Sequence, residues 1–337
     1  MRLVQLKQSN RRHVALVEEP HLRLLSGVDS IYALANQAIH SGQVFSALVH
    51  QCLTSTALDY DAVYSGSSQW HLLPPIDHPE EDARCLLSGT GLTHLGSARD
   101  RNAMHDLKED QLTDSMRIFQ WGIAAGKPSP GAIGVAPEWF YKGNGSIVRA
   151  HGETLLVPSY AEDGGEEAEV AACYLIGPDG EPYRLGMTTG NEFSDHVFEK
   201  KNYLNLAGSK LRTCSLGPEL VVDPVFESVG GTVSLKRDGD LLWSKSIRTG
   251  EAEMCHSLGN IEHHHFKFDI NRRPGDVHVH YLGASLLSFG EGIRLQDGDV
   301  MEIRFDGFGR PLCNTVQRVS PSEDRLVKVR VDFITQI

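Results

Sequence analysis

Two glutamates separated by one alanine, Glu167 and Glu169, open an apolar run from Val170 to Ile176, and a third, Glu192, follows in Gly190-Asn191-Glu192. A strand sends alternate side chains to one face, so Glu167 and Glu169 project together. Adjacent carboxylates repel and are costly to desolvate, so a pair at the start of a buried strand calls for a cation or a basic partner. The three glutamates form an all-oxygen donor set, which suits Mg2+, with Mn2+ or Ca2+ as substitutes, better than zinc. Taken alone, the pair also fits a solvated strand edge, because glutamate is rarely fully buried. The surrounding sequence decides between the two.

Positioning such residues takes strands. Beyond Pro128 the chain reads as Ser146 to Arg149, Thr154 to Val157, Ala168 to Ile176, Tyr183 to Thr189, Leu216 to Val222, Thr232 to Lys236 and Val300 to Phe305, each bounded by turn formers. Short apolar runs at Leu3 to Leu6, Val14 to Val17 and Leu22 to Leu25 predict a small antiparallel sheet at the N-terminus. Ile31, Leu34, Ala35, Ala38 and Ile39 recur at helical spacing, with Asp29 or Ser30 as N-cap and Gly42 just past the end. A second helix is predicted over Thr113 to Ala125. Pro74, Pro75 and Pro79 lie among acidic residues and read as a linker, which divides the chain into a small N-terminal α+β domain, residues 1–82, and a large β-rich domain, residues 83–337. The fold class is α+β, rich in β.

The 337 residues carry a formal net charge of -12 with no dense Lys/Arg stripe, which argues against nucleic acid as a partner. Six scattered cysteines without CxxC spacing argue against structural zinc or a disulfide framework. No apolar stretch reaches eighteen residues and the N-terminus lacks a secretory apolar segment, so a membrane span is not expected and the cytoplasm is the default location.

The order of motifs around the carboxylates carries further information. Pro137-Glu138-Trp139-Phe140-Tyr141-Lys142-Gly143 precedes them, and Tyr203-Leu204-Asn205-Leu206-Ala207-Gly208-Ser209-Lys210, Cys214-Ser215-Leu216-Gly217-Pro218 and Leu295-Gln296-Asp297-Gly298-Asp299-Val300 follow. Over about residues 85 to 320 this set resembles the fumarylacetoacetate hydrolase superfamily. The resemblance implies a mixed β-sandwich roll, a divalent ion held by Glu167, Glu169 and Glu192, an active-site lysine at Lys210, a pocket lysine at Lys142 and a homodimer. Phe140, Asn191, Gly283, Ser97 and Arg99 fall among its substrate-binding positions. Two departures stand out: the third ligand is usually Asp, one methylene shorter than Glu192, and Leu282-Gly283-Ala284 replaces a Thr-Gly-Thr carboxylate grip, leaving Ser285 to stand in.

Within the superfamily, hydrolases carry a His and a Glu that activate water, and here Ser97 and Asp100 stand at those positions. The stretch Val197 to Lys210 and the Cys-Ser-Leu-Gly-Pro turn resemble instead the branch that dehydrates 2-keto-3-deoxy sugar acids. The implied activity is a metal-dependent lyase acting on a small 2-keto acid such as 2-keto-3-deoxyarabinonate in sugar catabolism. Lys210, with its pKa depressed by the ion and burial, would take the C3 proton or hydrogen-bond the enolate oxygen, with His94, Asp100 or His196 as the acid. Rivals are a hydrolase of acylpyruvates or diketo acids using His94 or His105, a decarboxylase or tautomerase of a keto acid such as oxaloacetate, and a non-catalytic sugar-acid binder. His263-His264-His265 reads as a strand or loop with diverging side chains rather than as a metal tract, and His278 to Leu282 as a half-buried strand beside Gly283.

Overall fold

The computed structural model describes residues 1–96, 114–320 and 326–330. Its centre is the strand Ala168–Ile176, buried at all nine positions and paired antiparallel with Pro182–Asn191 on one side and Val277–Tyr281 on the other. A strand covered on both faces reads as a continuous apolar run, which is why this segment lacks a polar alternation. Ala168, Val170, Ala172, Tyr174 and Ile176 enter one core with Val233, Leu235, Ile303 and Phe305 of a second sheet. Ala171, Cys173 and Leu175 enter another core beneath the helix Ile31–Ser41. That helix starts where Ser30 Oγ accepts from Ala33 N at 3.1 Å and stops at Gly42, whose φ of 66° suits glycine.

Among the described residues, the path across the large sheet runs Leu53–Asp59, His21–Leu25, Arg11–Glu18, Arg2–Gln8, Leu220–Val221, Pro182–Asn191, Ala168–Ile176, Val277–Tyr281, Cys85–Gly91 and Glu138–Asn144. The second sheet runs Asp240–Thr249, Val229–Arg237, Val300–Phe305, Leu312–Arg318 and Thr154–Val157. The N-terminal strands therefore continue the main sheet, with Arg2 opposite Val221 and Leu3 opposite Leu220. The proline-rich stretch read as a linker is packed: Ile76 is fully buried and Asp77 takes two hydrogen bonds from Arg12, at 2.6 and 2.8 Å.

Other expectations shift locally. Only Val148–Arg149 of the segment from Ser146 is strand, because Gly145–Ile147 forms a 3-10 turn capped by Asn144. The histidine tract lies on a helix, Leu258–Phe266, started by Ser257 Oγ accepting from Asn260 N at 3.2 Å, and not on a strand or loop. Val277–Tyr281 is fully buried rather than half-buried, since Val277, Val279 and Tyr281 enter the core on one face while His278 and His280 pack against His265 of that helix on the other. His265 Nε2 and His278 Nδ1 meet at 3.0 Å there, and Ser88 and Thr90 bond the two nitrogens of His280 at 2.9 and 2.6 Å.

Candidate active site

The carboxylates meet where the central hairpin opens. Ala168 pairs with Asn191 and Glu169 with Gly190, so Glu192, one residue further, faces Glu167 and donates its N–H to the Glu167 carbonyl at 3.0 Å. Asn191 Oδ1 fixes this crossing by accepting from Glu167 N at 3.1 Å and Phe193 N at 3.2 Å. One oxygen from each of Glu167, Glu169 and Glu192 lies within 4.8 Å of the others, and all three residues are buried. Lys210, at the end of the short helix Leu206–Lys210, places Nζ 2.5 Å from Glu167 Oε1, 2.6 Å from Glu192 Oε2 and 3.1 Å from Ser194 Oγ. Lys142 Nζ lies 2.7 Å from Glu192 Oε1, and His196 Nε2 is 3.1 Å from Glu167 Oε1.

Burial opposes every charge in this group, and the partners decide each balance. Burial pushes Glu167 up, but the Lys210 ammonium and His196 outweigh it and hold the carboxyl well below the usual range. Burial, then the charges of Glu192 and Glu167, drive Glu169 well above that range. Glu192 is pushed up to about 7 by burial, against the pull of Lys142 and Lys210. Burial lowers Lys142. For Lys210 burial is overcome by Glu167 and Glu192, which raise it, and for His196 the Glu167 bond likewise overcomes burial. The depression expected for Lys210 is that of a lysine beside a bound cation; with only the protein groups around it, two carboxylates hold it up.

Three carboxylates face two ammonium groups, and the hydrogen bond to Glu169 comes from a backbone N–H, that of Gly283 at 2.6 Å. An excess of buried hard oxygen donors fits a divalent cation of the Mg2+ type. Glu167, Glu169 and Lys210 line one wall of a cavity of about 30 Å³. His196, Glu199 and Lys210 share the polar wall with Glu167 and Glu169, while Leu92, Phe140, Ala284 and Leu287 form the apolar one. The Phe140 ring centre is 4.9 Å from Lys210 Nζ, within cation–π range.

The structure thus brings together Glu167, Glu169, Glu192, Lys210 and Phe140. It turns other candidates away from the cavity. Lys142 is fully buried and braces Glu192 and the carbonyls of residues 192 and 193, both at 2.6 Å, instead of reaching a substrate. Asn191 is spent on backbone N–H groups and the Met301 sulfur. Gly283 acts through its N–H on Glu169; an added Cβ there would lie 2.0 Å from Thr93 Oγ1. Ser285 lines a neighbouring depression with His94 and Arg248, beyond Ala284, so it does not replace the missing threonine grip. His94 is buried between Thr93 Oγ1 at 2.8 Å and Thr249 Oγ1 at 3.1 Å, and burial pushes its pKa down to about 4. It does not line the carboxylate cavity. Ser97, Arg99, Asp100 and His105 lie outside the described residues.

Three acidic or basic groups gain weight from the structure. Glu199 stands one helical turn after His196, a spacing that could have marked it. Glu166 is fully buried and accepts from Ser288 N at 2.7 Å and Ser288 Oγ at 2.8 Å, anchoring the turn that carries Leu287; no sequence pattern announced it. Glu138 accepts from Tyr203 OH at 2.8 Å beside Gly91, where an added Cβ would fall 1.9 Å from Glu138 Oε1.

Neither a family model nor a curated protein matches the chain. Solved structures do. An apo 2-keto-3-deoxy-D-arabinonate dehydratase aligns with a TM-score of 0.70 at 18% identity, over 95% of this chain and 100% of that one. A structure of 2-keto-3-deoxy-D-arabinonate dehydratase complexed with magnesium and 2,5-dioxopentanoate aligns with the same score and identity, over 95% and 99%. A 2-hydroxyhepta-2,4-diene-1,7-dioate isomerase from Mycobacterium marinum reaches a TM-score of 0.58 at 15% identity, over 94% and 98%. Likeness at these identities is a likeness of fold. The chain has the fold of the fumarylacetoacetate hydrolase superfamily, and it matches the dehydratase structures more fully than the isomerase structure.

Proposed function

We propose that this protein is a divalent-metal-dependent lyase that dehydrates a 2-keto-3-deoxy sugar acid, with a pentonate such as 2-keto-3-deoxyarabinonate as the leading substrate. The observation that carries the reading is Lys210, buried against Glu167 and Glu192 on the wall of a cavity whose opposite side is apolar. A divalent cation held by Glu167, Glu169 and Glu192 would supply Lewis-acid polarisation of the 2-keto group. Lys210, kept protonated by its two carboxylates, donates to the oxygen on which charge develops as the C3 proton leaves. Glu199, the cavity-wall carboxylate outside the ligand set, accepts that proton. His196, drawn toward the imidazolium by Glu167, protonates the departing C4 hydroxyl. Leu92, Phe140, Ala284 and Leu287 keep bulk water from the intermediate, which favours elimination over hydrolysis.

The homodimer and the cytoplasmic setting remain part of this proposal on the strength of the resemblance; no helix among the described residues is long and apolar enough to cross a membrane. The test is a magnesium-supplemented assay on 2-keto-3-deoxy pentonates and hexonates beside acylpyruvates, with Glu169→Ala as control. Loss of water without carbon–carbon cleavage, abolished in the control, is the expected result. Pyruvate released together with a carboxylic acid would overturn the lyase reading in favour of a hydrolase.

A further inference from the structure

After the last strand, the chain carries an alternation that its own fold leaves unused. Val327, Val329, Val331 and Phe333 occur at every second position, separated by Lys328, Arg330 and Asp332. That is the period of a strand with one apolar face. Yet residues 326–330 belong to no strand or helix, and Leu326, Val327 and Val329 are 86%, 88% and 85% exposed. Among the described residues nothing covers Leu326, Val327 or Val329.

The same fold offers an edge of matching character. Glu138–Asn144 ends the path across the large sheet, so one side of its backbone has no neighbouring strand among the described residues. Its inward residues Glu138, Phe140 and Lys142 are buried, while Trp139 and Tyr141 point outward and stay 39% and 43% exposed. Phe268, whose ring centre is 6.5 Å from that of Trp139, extends this apolar strip. The other edges fit less well. Thr154–Val157 has only four residues, Leu53–Asp59 exposes Ser55 and Thr56, and Asp240–Thr249 presents Lys245 and Arg248, which would face Lys328 and Arg330 with like charge.

We propose that residues 326–330 of one copy add as a strand to the Glu138–Asn144 edge of a second copy, laying Val327 and Val329 over Trp139 and Tyr141. Strand addition satisfies the open backbone groups of the edge and buries two apolar faces at once. Phe140 and Lys142 lie on that edge strand, so the added strand would also stiffen one wall of the cavity.

Light scattering on the full chain gives the first readout, and it does not depend on which reaction the cavity performs. The expected mass is twice the 37.1 kDa of one chain, falling to a single chain in a Val327→Glu, Val329→Glu double variant. A second readout mixes two differently tagged populations, one bearing Tyr141→Cys and the other Val327→Cys or Val329→Cys, under mild oxidation. A disulfide joining the two tags, at least tenfold above the level given by the unsubstituted chain with its native thiols, is expected. An unchanged mass in the double variant, a wild-type chain that runs as a monomer, or linkage between the two tags no higher than that of the unsubstituted chain would each overturn the proposal.

Discussion

Replacing Lys210 by methionine removes a cation from between two buried carboxylates and leaves the volume nearly unchanged. Nζ lies 2.5 Å from Glu167 and 2.6 Å from Glu192, and the lysine side chain is 1% exposed. Breaking a buried ion pair by deleting one partner costs about 3–5 kcal/mol, because the abandoned charge stays desolvated. At about 2.1 cal/mol/K of unfolding entropy per residue, a chain of 337 residues carries roughly 0.7 kcal/mol/K, so Lys210→Met should melt roughly 4–7 °C below the wild type. The same change leaves three carboxylates facing one ammonium, that of Lys142, instead of two. Millimolar Mg2+ should therefore raise the melting temperature of the variant by more than it raises that of the wild type. Differential scanning fluorimetry with and without Mg2+ reads both effects. A variant that melts within a degree of the wild type, or an equal response to the ion in both proteins, would refute the charge argument.

Glu169→Gln keeps shape and removes one charge from the donor set; it should abolish the Mg2+-induced melting shift and lower dehydration at least a hundredfold, and a shift equal to that of the wild type would sink the ligand assignment. Gly190→Ala would set a Cβ 2.6 Å from Tyr281 Cε1, opposite Glu169 in the pairing, so it should cost about 1–3 kcal/mol and shrink the Mg2+ response. Thermal melts in which stability and response are both unchanged would show that the ring gives way freely. Burial, then His278, pushes His280 down to about 3. The unfolded chain takes up that proton below a pH of about 6.5 while the folded chain refuses it, so stability is lost as pH falls, by about 1.4 kcal/mol per unit. His280→Gln should flatten the pH dependence of urea unfolding between about pH 6 and pH 4.5 by that amount, and identical slopes would show that the imidazole does not resist protonation.

The glutamate pair and its strand were readable because both follow from parity. Successive residues of Ala168–Ile176 face opposite cores, and the two glutamates just at its start keep the parity of Ala171, Cys173 and Leu175. The first helix was readable from Ser30 and Gly42, which act locally. What escaped was decided at long range. Lys142 turns to Glu192, fifty residues away, and His94 to Thr249, 155 residues away, and nothing in either local sequence separates such a brace from a pocket residue. The strand Asp240–Thr249 was missed because it is a sheet edge whose polar residues face solvent, which blurs the alternation. The histidine tract was misplaced because the helix under it depends on its Ser257 cap and on packing of Ile261 and Phe266 into the core, not on histidine, which favours helix weakly.

The placement of the carboxylates at the end of the strand, not within it, has an energetic reason. A cluster of buried charges is seldom more stable than apolar packing in the same volume, so it is tolerated where counter-charges can arrive from outside the sheet. Mid-strand positions 171 to 175 are flanked by hydrogen-bonded strands and covered by the helix Ile31–Ser41, with no room for a lysine. At Glu167 and Glu169 the hairpin ends, and the chain after Asn191 leaves the sheet into two short helices that return Lys210 to the opening while Lys142 reaches Glu192 from the edge strand Glu138–Asn144. The apolar body of the strand supplies the rigidity, and its open end supplies access. Site geometry should therefore be far less sensitive to substitutions near Ile176 than to those at Gly190 or Tyr281, which touch the open end.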